Sequence, residues 1–226
     1  MESLEPVNRE TTPGLISAQI RARILDGTFP PGSQLGEAKL AARMNVSRGP
    51  VREALQRLVQ EGLLQNVKNR GACVVSLGPG DIADVYLARG AVERAAARIL
   101  LRRGSRSDFD ELDTLVERMS GVAAEDRWSE LAELDLGFHE TLVRLAGSAR
   151  LRRMFDTLLA ETRLCLAGLR EAYPVRKELV DEHRRLVYAL RAGDEAGVLA
   201  LVDAHLGDAV RDLTGGEGYR LDLPAR

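Results

Sequence analysis

Apolar residues recur every three to four positions through most of this chain, in runs closed by Gly or Pro, and that period predicts a mainly helical protein. Leu15, Ile16, Ile20 and Ile24 fall on one side of a helix expected over Leu15 to Leu25, with Gly27 as its stop. After the turn-forming "GTFPPGSQL", a short helix is expected from Glu37 to Met44, closed by Asn45, which tolerates the left-handed conformation. Ser47 is a natural N-cap for a third helix, Arg48 to Glu61, whose first turn holds Pro50 where a missing N–H does no harm. Val51, Leu55, Leu58 and Val59 form its apolar side. Beyond Gly62 the pattern changes. "LLQNVKNRGACVVS" offers two β-prone runs, Leu63 to Val67 and Ala72 to Ser76, around a turn at "KNRG".

"SLGPGD" follows, where Gly78, Pro79 and Gly80 interrupt both kinds of regular structure, so residues 77–80 are expected to be a linker. It would separate an N-terminal domain, residues 1–76, from a C-terminal one, residues 81–226. The second half has helical periodicity throughout. Six helices are expected, at Asp81 to Arg103, Asp108 to Gly121, Arg127 to Ala146, Ala149 to Ala172, Val175 to Arg191 and Asp194 to Leu213. The closing "GGEGYRLDLPAR" reads as a frayed tail.

Composition agrees with helices, being rich in Ala, Leu, Arg and Glu with only 4% aromatic residues. Charge adds something the periodicity does not. The whole chain carries a formal charge of -2, but residues 1–75 hold 10 basic against 7 acidic side chains, and the remainder holds 22 against 27. That asymmetry predicts a basic module fused to an acidic one. No apolar run approaches the length of a bilayer span, and the start, "MESLEPVNRE", is acidic and polar, so a cytoplasmic protein without membrane attachment is expected. Cys73 and Cys165 stand far apart and make neither a disulfide framework nor a cysteine metal knuckle.

Two short helices joined by a tight turn, the second opening with Ser-Arg, have the layout of a helix-turn-helix. Arg48 and Arg52, one turn apart, share a face at the N-terminal end, where a recognition helix meets base edges and a guanidinium can pair two ways with guanine. The hairpin tip, Lys68, Arg70 and Gly71, would be a wing reaching phosphate or the minor groove, and Lys39 and Arg43 are candidates for backbone contacts. A solvated helix face would explain two arginines alone; the pattern here is longer. "GTFPPGSQLGEAKLAARMNVSRGPVREALQRLVQEGLLQNVKNRGACVV" closely resembles the DNA-binding region of the GntR family of bacterial transcription regulators. The resemblance implies a winged helix-turn-helix, three helices plus a β-hairpin, in which Ser47, Arg48, Arg52 and Gly71 match DNA-contacting positions. Ala38 stands where some members carry arginine, so no operator sequence is carried over. Asn45 replaces a more usual glycine. One such module neutralises few phosphates, so specific binding asks for a homodimer on a pseudo-palindromic operator.

The chain's three histidines all fall on apolar stripes. Leu131, Asp135, Phe138, Leu142 and Leu145 are spaced 4, 3, 4, 3, which turns Asp135 inward with His139 bordering the same face. Leu179, His183, Leu186 and Leu190, and then Val198, Val202, His205 and Ala209, repeat the spacing 4, 3, 4. A buried carboxylate requires a partner or a metal. Any one of these groups could be satisfied within the core, but together one carboxylate and three imidazoles suit a divalent ion such as Zn, Ni or Mn, with coordination positions to spare. Arg89 also faces inward, on the stripe Ile82, Val85, Arg89, Val92 and Ala96. It either pairs with Glu93 one turn later or serves as a carboxylate-binding fork.

"DIADVYLARGAVERAAA", "DLGFHETL", the "EH" at 182–183 and the "AHL" at 204–206 resemble the FCD domain of the FadR branch of GntR regulators, in its six-helix, VanR-like form, over nearly all of residues 81–213. The resemblance implies an all-helical effector-binding and dimerisation domain. In it Asp135, His139, His183 and His205 ligate the metal, a small organic acid sits beside the ion, and Arg89 anchors that acid. The expected protein is then a DNA-binding regulator, a repressor, controlled by a small carboxylate effector. A constitutive regulator with a purely structural metal is one alternative. A metal-dependent enzyme is another, disfavoured because no histidine is left over as a general base.

Overall fold

Two units make up the chain, Met1–Ser76 and Leu77–Arg226. The structure is a computed structural model that describes residues 11–167 and 178–215.

The first unit consists of α1 (Thr12–Leu25), α2 (Glu37–Met44), α3 (Arg48–Gln60), β1 (Leu64–Val67) and β2 (Gly71–Val74). Helix α1 starts earlier than its apolar residues suggest, because the Thr11 hydroxyl accepts from the Gly14 N–H and a proline fills the first turn. Ile16, Ile20 and Ile24 are buried, but Leu15, expected on the same side, is 47% exposed. It sits about 100° around the helix from Ile16, just off the buried stripe. Asn45 does close α2 in the left-handed conformation, at φ 52°. Ser47 occupies the N-cap of α3, yet its hydroxyl makes no capping hydrogen bond.

The strands pair antiparallel, Leu64 opposite Val74 and Val67 opposite Gly71, so the hairpin is shifted slightly from its expected limits. Leu63 is drawn instead into closing α3, its N–H donating to Leu58 O at 3.0 Å. Asn69 and Gly71 take positive φ at the tip. The segment before α2 fastens the hairpin to the unit, with Leu35 N–H donating to Ala72 O and Val74 N–H to Ser33 O.

The second unit contains α4 (Pro79–Arg103), α5 (Arg106–Ala124), α6 (Trp128–Leu145), α7 (Ala149–Ala167), α8 (Leu179–Ala192) and α9 (Glu195–Leu213). Helix α4 opens at Pro79, inside the stretch expected as linker. Proline suits a first turn, and the Asp81 carboxylate accepts the Gly78 N–H at 2.9 Å. Gly121, expected as a break, lies within α5, which runs three residues further to Ala124. A helical glycine is destabilising but does not terminate a helix by itself. Gly147 and Gly193 do take positive φ just after α6 and α8. The helical turns expected over 168–172 and 175–177, and the tail from 216, lie outside the described residues.

Helix α4 packs against α6, α7, α8 and α9. Val85, Leu100, Leu112, Phe138, Leu142, Leu186 and Val202 are among the buried residues of the core they form. Burial of this apolar surface holds the helices together. Among the described residues no helix is long and apolar enough to cross a membrane.

Candidate functional site

Three helices of the second unit aim polar groups at one point: α6 supplies Asp135 and His139, α8 supplies His183, and α9 supplies His205. One ligand atom from each lies within 4.8 Å of the others. The four-residue spacing of Asp135 and His139 does not make them a bonded pair, since Asp135 Oδ1 is 3.8 Å from His139 Nε2. It is closer to His183 Nε2, at 3.2 Å, an ion-pair distance without hydrogen-bond alignment. Both atoms are buried without a hydrogen-bond partner.

The far side of each imidazole is anchored. His139 Nδ1 meets Glu93 Oε2 at 2.7 Å, His205 Nδ1 meets Glu182 Oε2 at 2.8 Å, and His183 Nδ1 meets Leu179 O at 2.8 Å. These partners only accept, so each Nδ1 is assigned as the N–H donor and each Nε2 is left facing the centre. His139 Nε2 and His205 Nε2 are 2.9 Å apart. With both Nδ1 atoms protonated, two bare Nε2 lone pairs would oppose each other there. Either an extra proton or a cation must lie between them. A carboxylate plus three oriented imidazoles is a donor set that fits a divalent ion, and hydrogen-bonded far nitrogens are the usual support of metal-binding histidines. A small pocket of about 10 Å³ beside them is lined by the three histidines, Glu182, Leu186, Leu201 and Val202.

Electrostatics favour the metal-binding forms of Asp135 and His205. Burial pushes the Asp135 carboxyl upward, but the close His183 ring and the charge of the imidazoles outweigh it and hold the group well below the carboxylate range. Burial and the neighbouring imidazoles push His205 down to about 4, against the pull of Glu182. His183 is raised: burial opposes its charge, but Asp135 beside it prevails.

Arg89 is buried on α4, and its Nε donates to Glu93 Oε1 at 3.0 Å, so the expected pairing with Glu93 is present. Arg89 Nη2 also lies 3.0 Å from Glu93 Oε1 but is not aligned for a hydrogen bond, and it has no other hydrogen-bond partner. The guanidinium lies over the Tyr86 ring, 4.9 Å from its centroid. Glu93 joins Arg89 to His139, and burial, which would raise its pKa, is overcome by His139 and Arg89, which hold it at about 2. Arg89 is not among the residues that line the small cavity.

In the first unit Lys39, Ser47, Arg48, Arg52, Arg70 and Gly71 are all exposed. Arg52 is held by Glu37 of α2, its Nε 3.0 Å from Oε1 and its Nη2 2.9 Å from Oε2. Arg70 Nη2 donates to Gly32 O at 3.2 Å, and the Gln34 side-chain amide donates to Arg70 O, so the hairpin tip is tied to the segment before α2. Lys39, Arg48, Arg52 and Arg70 are the cationic members of this exposed group.

The chain matches the FCD domain over residues 84–208 and the bacterial regulatory proteins of the gntR family over residues 15–74. It belongs to the GntR family. This GntR regulator is 29% identical over 197 residues to the gluconate operon transcriptional repressor of Bacillus licheniformis, covering 83% of this chain and 79% of that protein. It is 33% identical over 196 residues to an HTH-type transcriptional regulator of Streptomyces ambofaciens, covering 84% of this chain and 80% of the relative. The crystal structure of a GntR transcriptional regulator from Rhodococcus sp. RHA1 superposes with a TM-score of 0.75 at 28% identity, over 92% of this chain and 99% of that one. The protein is therefore a DNA-binding transcription regulator with a winged helix-turn-helix and a helical FCD domain, of a family of regulators rather than enzymes.

Sequence reasoning gave Glu182 no role beyond its place in the "EH" signature and saw Glu93 only as a partner for Arg89. Both turn out to orient histidines of this regulator. The one legible signal was position: Glu93 lies four residues beyond Arg89 on the inward side of its helix. Nothing in the spacing said which imidazole it would meet.

Proposed function

We propose that this GntR regulator is a repressor whose hold on DNA is set by a small organic acid bound at a metal centre in its FCD domain. The observation that carries the reading is the convergence of Asp135, His139, His183 and His205 on one point, with each imidazole fixed from behind. Those four residues would hold the ion, with Zn, Ni and Mn as the candidates. Bound there, the ion would supply a Lewis-acid centre with room beyond four protein donors for a carboxylate. Arg89, with one guanidinium nitrogen lacking a hydrogen-bond acceptor in a buried setting, is the proposed anchor for such an acid. The pocket beside His139, His183 and His205, about 10 Å³, is smaller than such an acid. A ligand that favours a more open packing around it would shift the population toward that packing. In a homodimer on a pseudo-palindrome, that shift would alter how two winged heads share the operator, where Ser47, Arg48, Arg52, Lys39, Arg70 and Gly71 are the proposed contacts.

The test begins with metal analysis of the purified protein and a fluorescence-anisotropy titration of a selected operator. A panel of small mono- and dicarboxylic acids is added with and without chelator. The reading predicts that at least one acid changes operator affinity, by roughly 5- to 150-fold, in metal-loaded protein only. A chelator effect on stability with no response to any acid would instead establish a constitutive regulator with a structural metal. The repressor named among the relatives acts on a gluconate operon. Sugar acids therefore belong in the panel.

A further inference from the structure

Arg52 stands on the second turn of α3, with its guanidinium exposed where a recognition helix offers side chains to base edges. A free arginine side chain there would sample many rotamers, and a base contact would have to select one at an entropic cost. In this protein the side chain is already taken in hand. Glu37, the first residue of α2, accepts from Arg52 Nε at 3.0 and 3.2 Å and from Nη2 at 2.9 Å. The carboxylate thus occupies one edge of the planar fork, from Nε to Nη2. Both N–H groups of Nη1 and the outer N–H of Nη2 remain. They form the edge that can donate twice to O6 and N7 of a guanine.

The pair is built in from both sides. Position 37 opens a helix whose N-terminus favours a negative charge, and Gly36 before it provides no side-chain cap, so the carboxylate is free to turn toward α3. Glu37 and Arg52 also line one concavity with Gln56, Asn66 and Arg70, between α3 and the hairpin. That space is about 350 Å³, and the Arg52 side chain stays 59% exposed despite the pair.

We propose that Glu37 is a specificity-determining residue for DNA recognition: it fixes the plane and direction of the Arg52 guanidinium so that its outer edge reads a guanine in the major groove. The inference rests on Arg52 being a base contact of the recognition helix. It makes a distinctive claim about charge. Glu37 brings a negative charge toward the DNA, so its removal should strengthen binding to DNA in general while weakening the choice of base. A role confined to folding would do neither.

The experiment uses the full chain and a pool of duplexes randomised over about two helical turns, selected by binding and sequenced. Wild type defines the preferred site, and Arg52→Ala identifies the base position that depends on Arg52. Glu37→Gln, which keeps the shape but loses the charge, should lower guanine preference at that position by about tenfold and leave other positions unchanged. Its affinity for an unrelated duplex should stay equal or rise. Glu37→Asp retains the charge but falls one methylene short, and it should lose much of the same preference without the general gain in affinity. Unchanged guanine preference in both Glu37 variants overturns the proposal. So does a Glu37→Gln protein that binds the preferred site more tightly with its base choice intact, because Glu37 would then be a latch that DNA must displace. If Arg52→Ala itself leaves every base preference unchanged, the recognition-helix reading fails first, and the role of Glu37 falls with it.

Discussion

Glu93 is the residue on which the buried network turns. One carboxylate oxygen receives Arg89 Nε and the other faces His139 Nδ1, with all three side chains essentially removed from solvent. Replacing it by Gln keeps the volume but leaves the Arg89 charge uncompensated and lets the His139 ring choose another tautomer. Metal affinity should fall by about 10- to 100-fold, read by competition with a chromophoric chelator. The pH dependence of the metal-free protein follows from the same groups. His205 is depressed to about 4, so its contribution is present above 6.5 and is lost as pH falls toward 4. His183 is raised, so its contribution is present below 6.5 and fades as pH climbs through its folded value. Together these two groups place a maximum of stability near pH 6.5. Glu93, depressed from 4.5 to about 2, and Asp135, also depressed, both contribute above the ordinary carboxylate range and lose that contribution in acid. Urea unfolding of metal-free protein should therefore show a steep loss of stability between pH 4.5 and 2, shallower in Glu93→Gln; equal slopes would separate Glu93 from the acid transition.

Helix limits in this protein depend on single residues near the ends. Gly104 follows α4, and a Cβ there would come within 2.5 Å of Leu100 O and 2.9 Å of the Phe109 ring. Its φ of -61° is available to any residue, so what the position demands is space. Gly104→Ala should destabilise the helical unit by about 1–3 kcal/mol, seen as a lower urea midpoint with an unchanged slope. The contrast with Gly121 is informative. Open space surrounds that position and its backbone is helical, so a glycine that looked like a punctuation mark is simply carried inside α5. Glycines at 147 and 193, by contrast, take positive φ and do mark ends. The letter G is the same in all four; the backbone and the neighbours differ.

At the scale of the whole molecule, the four candidate ligands all belong to the second unit, and the first unit has a core of its own built on Ile20, Val51, Leu58, Leu64 and Val74. Differential scanning calorimetry of the full chain should accordingly resolve a chelator-sensitive transition from an insensitive one. Metal at a thousand times its dissociation constant would add about 4 kcal/mol to the helical unit alone. A chelator that lowered both transitions equally would contradict this assignment. The charge asymmetry of the chain maps onto the same division, with exposed Arg48, Arg52 and Arg70 in the basic first unit.

Much of this was legible in order of residues alone. A period of 3.6 identifies which side chains turn inward, so the spacings around Asp135, His183, His205 and Arg89 were enough to place three kinds of polar group in one helical core. The motif around "VSRGPVREAL" likewise implied a recognition helix. Local periodicity reports only the side of a helix on which a residue lies, because it describes rotation about one axis. Which atoms meet is decided by how separate helices cross, and that depends on packing between residues far apart in the chain. Hence only the tertiary structure showed that Asp135 approaches His183 more closely than the His139 on its own helix, that Glu93 and Glu182 stand behind two of the imidazoles, and that Arg52 is held by Glu37.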